Sequence, residues 1–78
     1  MPKLKPADSQ KLEKIVLKLE FMFERQTGSH KIFYHPDKRI VAIPMHSRKP
    51  IKVGLLNKII KKDLKISREE FFKLLEQV

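Results

Sequence analysis

Gly28-Ser29-His30 is the segment of this chain most able to do chemistry. An imidazole has an unperturbed pKa of about 6.5, so a histidine held by a tight Gly-Ser turn is a candidate general acid or base at neutral pH. The chain around it is strongly basic: 18 Lys and Arg against 9 Asp and Glu give a formal net charge of +9 over 78 residues. Such an excess draws polyanions by long-range attraction and counterion release. RNA suits both features. It carries its own nucleophile, the ribose 2′-hydroxyl, and needs from a protein proton transfer and cations around the pentacoordinate phosphorane. His30 is the candidate for the first task; Arg25, Lys31 and Lys49 are candidates for the second. The alternative for His30 is a side chain that packs at a strand end or hydrogen-bonds the turn.

Other chemistries fit the residues less well. The three histidines invite a metal, but His30 and His35 are an odd number of residues apart and point to opposite faces of a regular strand. His46 lies beyond the next strand, and no carboxylate sits at a ligand-like spacing. Neither a metal nor any other cofactor is expected. The absence of cysteine removes disulfides, thiolate zinc sites and cysteine nucleophiles, and fits a reducing cytoplasm. Ser29 lacks the surroundings of a nucleophile elbow, and two glycines cannot build a glycine-rich phosphate loop. No apolar run approaches the roughly 20 residues that span a bilayer, and the Lys-rich start leads into no signal-type stretch. A cytoplasmic protein without membrane association is the expectation.

The elements that must position His30 follow from periodicity. Residues 1–7 read as a short basic arm containing Pro2 and Pro6. Asp8 or Ser9 can cap a helix over about 9–19, in which Leu12, Ile15, Val16 and Leu19 recur at helical spacing. The spacing then turns to period 2, predicting strands over 21–26, 30–35 and 39–43. Thr27-Gly28-Ser29 turns between the first two, and Pro36-Asp37-Lys38 between the last two, with Pro at the second position of a type I turn. A second amphipathic helix is expected over 53–64, with Leu56, Ile59, Ile60 and Leu64 inward. Ser67-Arg68-Glu69-Glu70 is a capping box opening a short last helix. The connections are too short for parallel crossovers. The result is one α+β domain over residues 1–78: an α-β-β-β-α sandwich, with helices on one face of a three-stranded antiparallel sheet and a short extra C-terminal helix. Double-stranded-RNA-binding domains share this layout.

Charge is unevenly placed. Between Lys38 and Lys62 the chain has no Asp or Glu but carries Lys38, Arg39, Arg48, Lys49, Lys52, Lys58, Lys61 and Lys62. Arg25, Ser29, Lys31, Arg48, Lys49, Lys52 and Lys58 are the residues assigned to RNA contacts. Tyr34 could stack on an unpaired base, whereas Phe33 reads as core.

From Leu19 to Phe72 the chain resembles the HicA family of bacterial and archaeal toxins, small mRNA interferases. The resemblance rests on Phe21, Arg25-Gln26-Thr27-Gly28-Ser29-His30, Ile32-Phe33 and His35-Pro36-Asp37. It continues through Val41, Ile43-Pro44-Met45-His46, Gly54-Leu55-Leu56, Ile59-Ile60, Ile66-Ser67 and Glu69-Glu70-Phe71. It implies a double-stranded-RNA-binding-like fold, metal-independent cleavage of mRNA, a catalytic role for His30, and a HicB-like antitoxin protein that covers the active surface. Four positions where the family commonly has glycine hold Glu20, Lys38, Ser47 and Lys65 here. At Lys65 a left-handed residue is expected, at some strain. A non-catalytic RNA-binding module of the same fold is the alternative function.

Overall fold

The computed structural model describes residues 3–45 and 49–78; His46, Ser47 and Arg48 lie outside the described residues. The first helix, α1 (Ser9–Lys18), starts at Asp8, whose carboxylate accepts from the Gln10 N–H at 3.3 Å. Three strands follow, β1 (Met22–Thr27), β2 (His30–Tyr34) and β3 (Ile40–Pro44), then α2 (Val53–Lys58), a π-helical continuation over Ile59–Leu64, and α3 (Arg68–Gln77). The sheet is antiparallel in the order β1-β2-β3, with β2 central. This is the expected α+β sandwich.

The two faces of the sheet differ because side chains alternate along each strand. Phe33, Val41 and Ile43 point to the helices and are buried together with Leu12, Ile15, Val16, Leu56, Ile60 and Leu64. The opposite face is open and carries His30, Tyr34, Ile40 and Ala42, all exposed. Leu19, expected in the core, is only partly buried at its margin. The N-terminal arm is pinned to the domain: Ala7 and Ile51 exchange backbone hydrogen bonds of 3.2 and 2.7 Å, and Leu4 and Ala7 are buried. Phe71 of α3 closes the far side of the core.

Several boundaries differ from the periodicity, for local reasons. β1 begins one residue late because the Phe21 N–H is already bonded to the Val16 carbonyl at 3.0 Å. That bond and the one from Glu20 N–H to the Leu17 carbonyl form a Schellman motif, which places Glu20 in the left-handed region at φ 72°. The second hairpin is a type I turn at Pro36-Asp37 followed by left-handed Lys38 (φ 81°), the usual construction of a three-residue loop. The last turns of the second helix are π-helical and end on left-handed Lys65 (φ 55°). Of the Ser67–Glu70 capping box, one half forms: the Ser67 hydroxyl accepts from the Glu70 N–H at 3.1 Å. Among the described residues, the three non-glycine residues with positive φ occupy positions where a glycine would be conformationally easier.

Left-handed backbone costs a residue with a Cβ roughly 1–2 kcal/mol, and glycine avoids that cost while adding chain entropy to the unfolded state. Glu20→Gly is therefore expected to raise stability by about 1 kcal/mol in urea unfolding. A loss of stability would show that Glu20 holds a contact outweighing its strain.

Candidate active site

His30 is the first residue of the central strand and is fixed on both sides, opposite Thr27 of β1 and Pro44 of β3. The turn before it has two residues. Gly28 has φ +59° and Ser29 is not in the left-handed region, which is the pattern of a type II′ turn with glycine first. The Gln26 side-chain amide donates to the Gly28 carbonyl at 3.1 Å. The Met45 N–H donates to the Ser29 carbonyl at 2.7 Å, so β3 continues to grip the turn past its own end. Behind this, the buried Ser9 hydroxyl donates to the Pro44 carbonyl at 2.8 Å and ties α1 to the residue opposite His30. Ser9 therefore clamps the sheet, and Asp8 alone supplies the cap.

The exposed imidazole stands at an open cleft of about 560 Å³ between β3 and the second helix. Ala42, Pro44, Ile51 and Leu55 form its apolar part, and Lys49, Lys52 and Lys58 bring three ammonium groups to it. Asp63 is the carboxylate of this lining. Among the described residues none of the three lysines has an ion-pair partner. An anion entering the cleft would meet unneutralised charge beside a group able to move a proton.

The remaining sequence candidates are not gathered there. Arg25 shares the open face but sits on β1, across β2 from the cleft, with its guanidinium 3.3 Å from Glu24. Lys31 points the other way, toward the helices, and its ammonium lies 2.8 Å from the Glu13 carboxylate of α1. Alternation along β2 accounts for this: a residue adjacent to His30 cannot share its face. Ser29 contributes its backbone carbonyl to the turn, and its side chain is exposed. Arg48 lies outside the described residues. Leu55 at the cleft was not marked by the sequence, because it falls off the helical periodicity that set Leu56, Ile59 and Ile60 inside. An apolar residue out of phase was its available signal.

His35 lies on the face opposite His30, as the odd spacing requires. Its ring packs edge-on against Phe21 at 5.0 Å, and its Nδ1 accepts from the Asp37 N–H at 3.1 Å. The Asp37 carboxylate lies 2.9 Å from the same nitrogen. Desolvation raises the Asp37 pKa, but hydrogen bonds from the Arg39 backbone N–H and guanidinium, and the charge of Arg39, outweigh it and hold the carboxyl below its usual value. His35 thus belongs to the turn.

The family model for the HicA toxin of bacterial toxin–antitoxin systems matches residues 9–66. The chain belongs to the HicA toxin family. The match runs from the first residue of α1 to just past the π-helical stretch, so it takes in the sheet, the His30 turn and the cleft. The arm and α3 fall outside it. No curated relative matches the chain.

The His30 turn gives a direct test of its construction. A Cβ on Gly28 would meet no atom within 4 Å, so a substitution there is strained by φ alone and not by crowding. Gly28→Ala is expected to cost about 1 kcal/mol or more, and Gly28→Asn, a residue type that turns with positive φ at this position admit more readily, to cost less. Equal losses in the two variants would point to crowding around the turn.

Proposed function

We propose that this HicA-family toxin is a metal-independent endoribonuclease acting on mRNA in the cytoplasm, with His30 as its proton-transfer residue. One observation carries the reading: an exposed imidazole, rigidly held on the central strand, opens onto a cleft with Lys49, Lys52 and Lys58. RNA laid in that cleft presents a phosphodiester to the lysines. The 2′-oxygen bonds to phosphorus and the bond from phosphorus to the 5′-oxygen breaks, leaving a 2′,3′-cyclic phosphate and a 5′-hydroxyl. The proton lost by the 2′-hydroxyl reappears on the departing 5′-oxygen. His30 serves one end of that transfer, as base or as acid. The lysines offset the charge that builds on the phosphorane. A single proton-transfer group contributes about 10²–10⁴ in rate, so turnover is slow beside enzymes that use a pair.

Membership in a toxin family implies an antitoxin. A HicB-like protein with acidic groups would meet Lys49 and Lys52, and the open face offers it Met22, Tyr34 and Ile40, which are 54%, 37% and 55% exposed. Covering His30 keeps RNA out, and binding only the folded toxin stabilises it by mass action.

His30→Ala is expected to lower RNA cleavage at least 10²-fold and to abolish growth arrest, while RNA affinity stays within about twofold. Wild-type cleavage should persist in EDTA. Undiminished cleavage by His30→Ala would reject the assignment, and loss of wild-type cleavage on chelation would assign the chemistry to a metal.

A further inference from the structure

The cleft at His30 does not end there. At the other end of β3, Asp37, Lys38, Arg39, Lys62, Asp63 and Lys65 line a second cleft of about 280 Å³. Asp63 lines both clefts, and β3 borders both, through Ala42 and Pro44 in the first and Ile40 in the second. The two are therefore parts of one groove between β3 and the second helix. From Pro44 to Ile40 the strand advances about 13 Å, at roughly 3.3 Å per residue. That length matches about four stacked nucleotides at roughly 3.4 Å each.

The distal end gathers cations from two elements. Lys38 and Lys65 both have left-handed backbone, φ 81° and 55°, where glycine would be free of strain. They also sit side by side, because the Arg39 guanidinium donates to the Leu64 carbonyl and so joins the residue after Lys38 to the residue before Lys65. Arg39 is used up in holding this junction: its Nε donates to Asp37 at 2.7 Å and its guanidinium lies 5.1 Å from the centre of the Phe21 ring. Among the described residues, Lys38, Lys62 and Lys65 have no ion-pair partner. A three-residue loop and a helix C-terminus account for the two left-handed residues. What marks the distal end is that these two elements bring three ammonium groups, without an ion-pair partner among the described residues, to one cleft.

We infer that Lys38, Lys62 and Lys65 form a second phosphate-binding subsite, which holds single-stranded RNA a few nucleotides from the bond at His30. The inference rests on the ribonuclease reading and extends it to a substrate of several nucleotides. Asp63, midway, repels phosphate and accepts from a base N–H, so the strand is held by its backbone at both ends and offers a base between. An acidic protein segment would gain nothing at Asp63.

The test measures binding of the full chain to a 12-nucleotide 2′-O-methyl RNA, which lacks the attacking hydroxyl. The double variant Lys38→Gly/Lys65→Gly is expected to melt higher than wild type, to bind at least fivefold more weakly, and to show a flatter salt dependence. At about 0.7 per phosphate contact on single strands, two lost contacts flatten the log–log slope by roughly 1.4. Glu20→Gly, which relieves the same strain away from the groove, should melt higher with no loss of affinity. Unchanged affinity and slope in the double variant overturn the subsite while leaving the ribonuclease reading intact. Failure of the wild-type protein to bind the oligonucleotide overturns both. If polyglutamate of the same length binds as tightly and loses as much in the double variant, the groove takes an acidic protein segment and the RNA assignment is wrong.

Discussion

The alternation of side chains along β2 is the constraint on which the rest of this molecule depends. Phe33 enters the core and Lys31 meets Glu13 of α1, while His30, Ile32 and Tyr34 face away from the helices. A one-residue slip in register would turn His30 into the helical layer and Phe33 out to solvent, so burying Phe33 is what keeps the imidazole exposed. The strand is paired on both edges, and both turns that enter it have glycine-type geometry. The core therefore fixes the site, and two of its members, Ile51 and Ile59, also line the cleft.

The electrostatics run against stability. A chain with net charge +9 repels itself, and the acid-free stretch concentrates that repulsion along one groove. Several acidic residues have partners or places of their own: Glu13 pairs with Lys31, Asp37 with Arg39 at the groove's far end, and Glu69 and Glu70 lie in the first turn of α3, which leaves Asp63 as the carboxylate common to both clefts. Among the described residues the groove's lysines have no ion-pair partner, at His30 and at the opposite end. An anion of extended shape would remove the repulsion at both places, which is why charge and geometry favour the same class of ligand.

Most of the architecture was legible because periodicity and burial agree. Leu12, Ile15, Val16, Leu56, Ile59 and Ile60 occupy the core that their spacing marks. The turn chemistry was legible where one residue type dictates it, as at Gly28 and Pro36. The π-helical stretch was not, since its apolar pattern from Ile59 to Leu64 is one an α-helix also satisfies. Lys31 was misleading for a related reason: charge and proximity in sequence suggested the site, while strand alternation sends it to the other face. The pairing of Lys38 with Lys65 was out of reach, because it depends on a hydrogen bond from Arg39 to a carbonyl 25 residues away. His46 and Arg48 lie outside the described residues, so the sequence alone speaks for them.

The most direct test of the central claim is the chemistry of the cut ends. Wild-type protein incubated with a defined RNA in EDTA should yield 5′ fragments ending in 2′,3′-cyclic phosphate and 3′ fragments beginning with 5′-hydroxyl. A single 2′-deoxy substitution at the scissile nucleotide should block that cut, and His30→Ala should produce none. Cleavage that survives the 2′-deoxy substitution, or that leaves a 5′-phosphate, would contradict proton transfer by His30 to and from the RNA's own hydroxyl.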